Sequence, residues 1–195
     1  MKYQLRNKNF NNEIPELALE ELLKDRGIEQ PYEWLHPDES YEHSPWLFQD
    51  MVKAVALLNK HIKNNESKIL VVVDSDLDGY TSGAIIMTLL SNIHRDQEIQ
   101  YVLHPNKEHG IVLADIPDDT TLVIVPDAGS TQTAEHLKLM SDGMDLIILD
   151  HHEYIQNFDY GEYTPQIAIV NSQEPNYPNP ALSGAGVAMK FVQAY

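Results

Sequence analysis

The stretch Lys68-Ile69-Leu70-Val71-Val72-Val73-Asp74-Ser75-Asp76-Leu77-Asp78-Gly79 decides the fold. Its first six residues are nearly all apolar and rich in β-branched side chains, which is the composition of a short strand buried on both faces. The same type of run recurs at Thr121–Val125, Asp145–Leu149 and Ile167–Val170, with Ile99–Leu103 a weaker fifth. Helical stretches lie between these runs, notably Thr81–His94 and Thr131–Met140. Continuous apolar strands alternating with helices predict an α/β fold, a parallel sheet flanked by helices. In such sheets ligands bind beyond the carboxyl ends of the strands, so chemistry is sought there.

Upstream the pattern is helical and polar, a helical N-terminal leader over residues 1–65. Leucines and alanines recur at helical spacing from Pro15 to Arg26, and Gly27 stands where a helix-ending glycine belongs. A connector rich in proline and aromatic residues runs from Pro31 through Trp46. A second helix is expected from Phe48 to Lys63, with Met51, Val55, Leu58 and Ile62 on one face. The leader is read as scaffold, and residues 66–195 as the domain that carries chemistry.

Three strand ends bear acidic or imidazole groups: Asp74, Asp76 and Asp78 after the first, Asp127 in Pro126–Ser130, and Asp150-His151-His152-Glu153. Crowded carboxylates repel and raise one another's pKa unless a cation sits among them. No lysine or arginine lies in these motifs. Carboxylates with neutral imidazoles suit Mn²⁺ or Mg²⁺, with Zn²⁺ and iron as further candidates. Asp and Gly acting only as strand-ending turn formers would account for one such end, but poorly for three. Two familiar motifs fail. An EF-hand loop beginning at Asp74 needs glutamate at Ile85, and a zincin helix beginning at His152 needs histidine at Gln156.

Leu182-Ser183-Gly184-Ala185-Gly186 precedes a helix and offers backbone N–H groups to a phosphate. Close helix packing through glycine is the competing structural reading. His104 and His109, in the loop after the second strand, are candidates to touch substrate. His36, His43, His61, His94 and His136 stand in polar or helical contexts and are read as surface residues.

The chain has 195 residues, 43% of them hydrophobic, enough for one sizeable core. Against 13 Lys+Arg stand 30 Asp+Glu, a net charge of −17, which excludes binding of nucleic acid through a general basic coat. It leaves nucleic acid open as a substrate, since bound cations reverse a local field. With no cysteine, disulfide frameworks, zinc ribbons and thiol nucleophiles are ruled out. The N-terminus lacks the apolar core of a signal peptide, and no apolar stretch is long enough to cross a bilayer. The expectation is a cytoplasmic protein without a membrane partner. The scattered aromatic residues form no stacking platform for single strands.

These motifs, in this order, resemble the DHH-superfamily phosphoesterases, whose name is spelled at Asp150-His151-His152. Within that superfamily the sequence resembles the single-strand-specific exonuclease RecJ family. The likeness runs through Leu23–Trp34, a helix like Phe48–His61, the DxDxDG motif at Asp74–Gly79, Asp127-Ala128-Gly129, Val170-Asn171 and Leu182–Phe191. Two departures stand out: RecJ-like proteins usually have Asp-Asn-Gly at 127–129, and their Gly-Tyr-Gly-like loop is here Glu108-His109-Gly110.

The resemblance implies phosphodiester hydrolysis with two divalent ions, Mn²⁺ or Mg²⁺. It implies that Asp127 bridges the ions, that Asp74 and Asp76 serve mainly one, and that Asp78 and His151 serve the other. Asp150 would orient the histidines, and His152 would meet the scissile phosphate or assist the leaving oxygen. Ser183, Gly184 and Gly186, with His109, would contact substrate. The implied activity is processive 5′–3′ degradation of single-stranded DNA. The family continues to a further metal-binding Asp, a linker and a second domain, so the catalytic domain is expected to be incomplete at its C-terminus. The basic track would then come from that missing domain or from a protein partner. Two rival readings remain at this level: a phosphodiesterase or pyrophosphatase acting on small nucleotides or oligonucleotides, and a non-catalytic metal-binding module of a repair or replication assembly.

Overall fold

The computed structural model describes residues 15–93, 99–103 and 109–195. His94 and His104 lie outside the described residues. The chain forms two units that divide after His43. In the first, α1 (Pro15–Asp25) is followed by the short α2 (Pro31–Leu35). Gly27 ends α1 as its sequence suggests: with φ at +87°, it lets the Ile28 N–H reach back to the Leu23 carbonyl at 3.1 Å.

The second unit begins at Ser44, so the helix assigned to the leader belongs with the sheet. It contains α3 (Met51–Ile62), β1 (Ile69–Val73), α4 (Leu77–Ile93), β2 (Gln100–Leu103) and β3 (Leu122–Pro126). Then follow α5 (Thr133–Ser141), β4 (Asp145–Asp150), β5 (Ile167–Asn171) and α6 (Gly184–Ala194). The five strands are all parallel, in the order β2-β1-β3-β4-β5. The expected α/β sheet is therefore present.

Alternate residues of the buried strands feed two cores. Ile69, Val71, Val73, Ile124, Ile147 and Val170 pack with Met51, Leu58, Ile86 and Phe191 from α3, α4 and α6. Leu70, Val72, Val123, Val125 and Ile148 pack with Leu139 and Met140 of α5 and with Ile111 and Tyr160. With a helix layer on one face, and α5 with long loops on the other, β1, β3 and β4 have no polar face. That explains why they read as unbroken apolar runs.

Two expectations are corrected. Helix α4 starts at Leu77, not Thr81, because Asp76 caps it: the Gly79 N–H donates to Asp76 Oδ1 at 2.9 Å and the Tyr80 N–H to the Asp76 carbonyl at 2.9 Å. His61 and His136 are buried rather than on the surface. His61 Nε2 lies 2.8 Å from Asp145 Oδ2 and its Nδ1 3.0 Å from Ser67 Oγ, at the amino ends of the strands. His136 Nδ1 lies 2.8 Å from the Tyr160 hydroxyl, and burial pushes its imidazole down to about 4, so it is neutral at physiological pH. Both stand on the inner faces of helices, where a polar-looking neighbourhood in sequence turns inward.

Candidate metal centre

The chain turns back between β1 and β3, the neighbouring strands from which the sheet grows in opposite directions. The crevice at that reversal lies at the carboxyl ends of both strands, where open parallel sheets bind ligands. Asp74 follows β1 and Asp127 follows β3, and β4 runs directly into Asp150-His151-His152. The topology thus gathers on one rim groups from three stretches that are well separated in sequence.

Asp127 is the centre of the cluster. It is 1% exposed, its backbone is left-handed at φ +67°, and its N–H donates to the Leu149 carbonyl at 2.7 Å. Neither of its carboxylate oxygens receives a hydrogen bond. His151 Nε2 lies 3.2 Å from Asp127 Oδ1 and 3.6 Å from Asp78 Oδ2. Burial, and then the charges of Asp78 and Asp76, push the Asp127 carboxyl up to about 7. A Cβ at Gly184 would run into this carboxylate, so α6 approaches it only through glycine.

Two sets of donor atoms share Asp127. Asp74, Asp76 and Asp127 form one, and Asp127, His151 and His152 the other, each with its ligand atoms within 4.8 Å of one another. Among the described residues, the ion pairs drawn by the carboxylates of this rim are all with histidine. A strained, buried carboxylate whose oxygens accept no hydrogen bond, and whose ion pair among the described residues is with a histidine, fits a site for divalent cations. One set is all oxygen and the other mixes oxygen with imidazole, donors that Mn²⁺ accepts readily.

Asp150 holds the histidines in place. Its Oδ1 accepts from the His151 N–H (2.7 Å) and the His152 N–H (3.1 Å) and lies 2.8 Å from His152 Nδ1; its Oδ2 accepts from the Ser130 N–H (3.0 Å). Burial opposes the charged form of Asp150, yet the hydrogen bonds from His152 and Ser130 outweigh it and hold the carboxyl below the usual range. Burial likewise opposes the His152 cation, and the Asp150 carboxylate more than compensates, raising the imidazole. His152 Nε2 is left for an ion or a phosphate oxygen.

Two residues to which the sequence assigned no role complete this brace. Asn171, fully buried at the end of β5, donates from Nδ2 to Ser130 Oγ (2.7 Å) and to the His152 carbonyl (3.2 Å). Gln173 Nε2 donates to the His151 carbonyl (3.2 Å) and the Pro180 carbonyl (2.7 Å). Asn171 stands at a strand end as Asp74 and Asp127 do, but its uncharged amide carries no signal of metal or acid–base chemistry.

Asp78 faces α6: its carboxylate accepts the Gly184 and Ala185 N–H groups, both at 2.9 Å. The Gly186 N–H donates to Ser183 Oγ at 3.2 Å. The N–H groups that the sequence offered to a phosphate are therefore engaged by Asp78 and Ser183. His109 sits against the cluster, its Nδ1 2.8 and 2.9 Å from the two Asp74 oxygens. Beside them opens a cavity of about 500 Å³, walled by His109, Thr131, Gln132, His152 and Glu153.

Residues 68–195 match the DHH family, N-terminal domain. The chain belongs to the DHH family. Over all of its length this DHH chain is 41% identical to the SPbeta prophage-derived protein of Bacillus subtilis named single-strand DNA-specific exonuclease YorK, of which it spans 32%. It is 28% identical to the single-stranded-DNA-specific exonuclease RecJ of Bacillus subtilis, over 89% of this chain and 22% of that protein. The chain thus spans about a third or less of the length of these relatives. Among solved structures, exonuclease RecJ bound to manganese superposes with a TM-score of 0.64 at 23% identity, over 78% of this chain and 39% of its own. RecJ of Thermus thermophilus in complex with Mn²⁺ gives 0.65 at 24% identity, over 92% of this chain and 24% of its own. At these identities the likeness shows a shared fold. Among the described residues no helix is long and apolar enough to cross a membrane.

Proposed function

We propose that this DHH domain carries metal-dependent phosphodiester hydrolysis and that its protein degrades single-stranded DNA from the 5′ end, in DNA repair and recombination in the cytoplasm. The observation that carries the reading is Asp127, a buried carboxylate whose oxygens accept no hydrogen bond and which two donor sets share. The names and the fold of the relatives support it. Two bound divalent ions, Mn²⁺ or Mg²⁺, would supply charge for the phosphoryl oxygens and an activated water.

The chain's own residues do the rest. Asp74, Asp76 and Asp127 hold one ion site, and Asp127 and His151, with Asp78 alongside, the other. Asp150 fixes His152 so that its Nε2 meets the scissile phosphate. Ser183 and Gly186 line the approach, their polar groups already paired with each other, and Gly184 brings α6 against Asp127. A track for a long polyanion would come from further protein or from a partner, since the chain carries −17.

That charge favours a second reading, hydrolysis of dinucleotides or pyrophosphate, which needs only a small site. The intact protein with Mn²⁺ is offered single-stranded DNA, a dinucleotide and pyrophosphate in parallel. Release of mononucleotides from the labelled 5′ end of the long strand supports the exonuclease. Turnover confined to the small substrates supports the alternative and overturns the first.

A further inference from the structure

We propose that Gln132 is a positioning residue of the metal centre, setting the Asp74 carboxylate through His109; this rests on the metal-dependent reading above. Gln132 precedes α5, and its side-chain amide grips the backbone of Ile111 at both ends. Its Oε1 accepts from the Ile111 N–H at 2.6 Å and its Nε2 donates to the Ile111 carbonyl at 3.0 Å. The pair reproduces the two-bond exchange of adjacent strands, and it joins positions 21 apart in sequence.

The grip fixes Gly110 and His109 as well. Ile111 itself is anchored in the core beside β1 and β3, at 3% exposure. Gly110 has φ +72°, and a Cβ there would collide with the Gln132 amide, so the close approach needs both residues. Turned by Gly110, His109 places Nδ1 within 2.9 Å of both Asp74 oxygens. Asp74 Oδ1 also accepts the Ser75 N–H at 2.9 Å, which leaves the His109 contact to set the tilt of the carboxylate. His109 and Gly110, where the sequence departs from the family pattern, are therefore tied to a residue outside every metal motif.

Partners that orient a metal ligand typically change affinity by about 10- to 100-fold when removed. The test is a calorimetric titration of the intact protein with Mn²⁺ alone, comparing parent, Gln132→Leu, His109→Ala and the double variant. Each single variant is expected to weaken one Mn²⁺ site about tenfold while leaving the other site unchanged. The double variant is expected to be no weaker than either single, because both act through one contact. Parental affinity in Gln132→Leu, or additive losses in the double variant, would overturn the proposal. Should Gln132→Leu not fold, Gln132→Glu keeps the bond from the Ile111 N–H, opposes the Ile111 carbonyl, and is judged by the same criteria. A parent protein that binds no Mn²⁺ overturns the metal-centre reading itself and this proposal with it, an outcome distinct from a parent that binds two ions and a Gln132 variant that binds them equally well.

Discussion

At Asp127 a single carboxylate carries burial, backbone strain and the absence of any hydrogen bond to its oxygens. Each is unfavourable for the metal-free fold, and a cation bound to the carboxylate would offset that cost. The carboxyl is raised to about 7 against an ordinary value near 3.8, so the folded state keeps its proton where the unfolded chain has lost it. Its contribution is thus intact at low pH and lost as pH climbs through about 7. Asp127→Asn removes that loss, and asparagine tolerates the left-handed backbone. The metal-free variant is expected to melt above the parent at pH 8, while gaining none of the Mn²⁺-induced rise in Tm that the parent shows. Equal Mn²⁺ stabilisation of both proteins would contradict the role given to Asp127. Gly184→Ala drives a methyl group into the same carboxylate, and its Mn²⁺ affinity is expected to fall by about tenfold or more, read by titration. At this scale the sequence was legible for charged residues: Asp74, Asp76, Asp127, His151 and His152 fall into the two donor sets. It gave no role to Asn171, Gln173 or Gln132, whose work is done by amides that carry no charge.

Among the elements, β4 and β5 end side by side, and their ends are sewn together by Asp150, Ser130 and Asn171. Asn171→Ala leaves Ser130 Oγ and the His152 carbonyl without their buried donor, at a cost of about 1–3 kcal/mol in denaturant melts. Turnover should fall further than stability explains, because the histidine loop loses its brace; unchanged kcat with reduced stability would show the residue to be purely structural. Beyond β5, Glu174 Oε1 accepts the Gln49 N–H at 2.8 Å, just ahead of α3, while its Oε2 is unpartnered. Burial, opposed by that N–H and aided by the Asp50 charge, pushes the Glu174 carboxyl up to about 7 from 4.5. Stability is therefore complete below about pH 4.5 and declines as pH rises through 7. Glu174→Gln keeps the acceptor and removes the titration. It should be more stable than the parent by about 2–3 kcal/mol at pH 8 and scarcely different at pH 4 in urea melts. An equal effect at both pH values would contradict this assignment. Element types were readable because unbroken apolar runs announce two-faced burial. The start of α4 was not, since Asp76 and Gly79 look like a loop until the cap they form is seen. Nor was the burial of His61 and His136, because partners such as Asp145 and Tyr160 come from distant sequence.

For the whole molecule, the strand order brings the ends of β1 and β3 together at the reversal of the sheet, and that placement turns five separate aspartates into one rim. On the proposed function, a chain of net charge −17 would depend on cations at that rim, first to bind a polyanion and then to cleave it. The fold was legible in the apolar strand runs and the candidate donor groups in the residues at their ends, whereas the length and polarity of the substrate are not encoded in spacing. The most direct test follows digestion of 5′-labelled single-stranded DNA by the intact protein and by its Asp127→Asn variant, each with Mn²⁺ and with chelator. Label should be released only by the parent protein and only with Mn²⁺; release by Asp127→Asn, or by the parent in chelator, would contradict a metal centre built on Asp127.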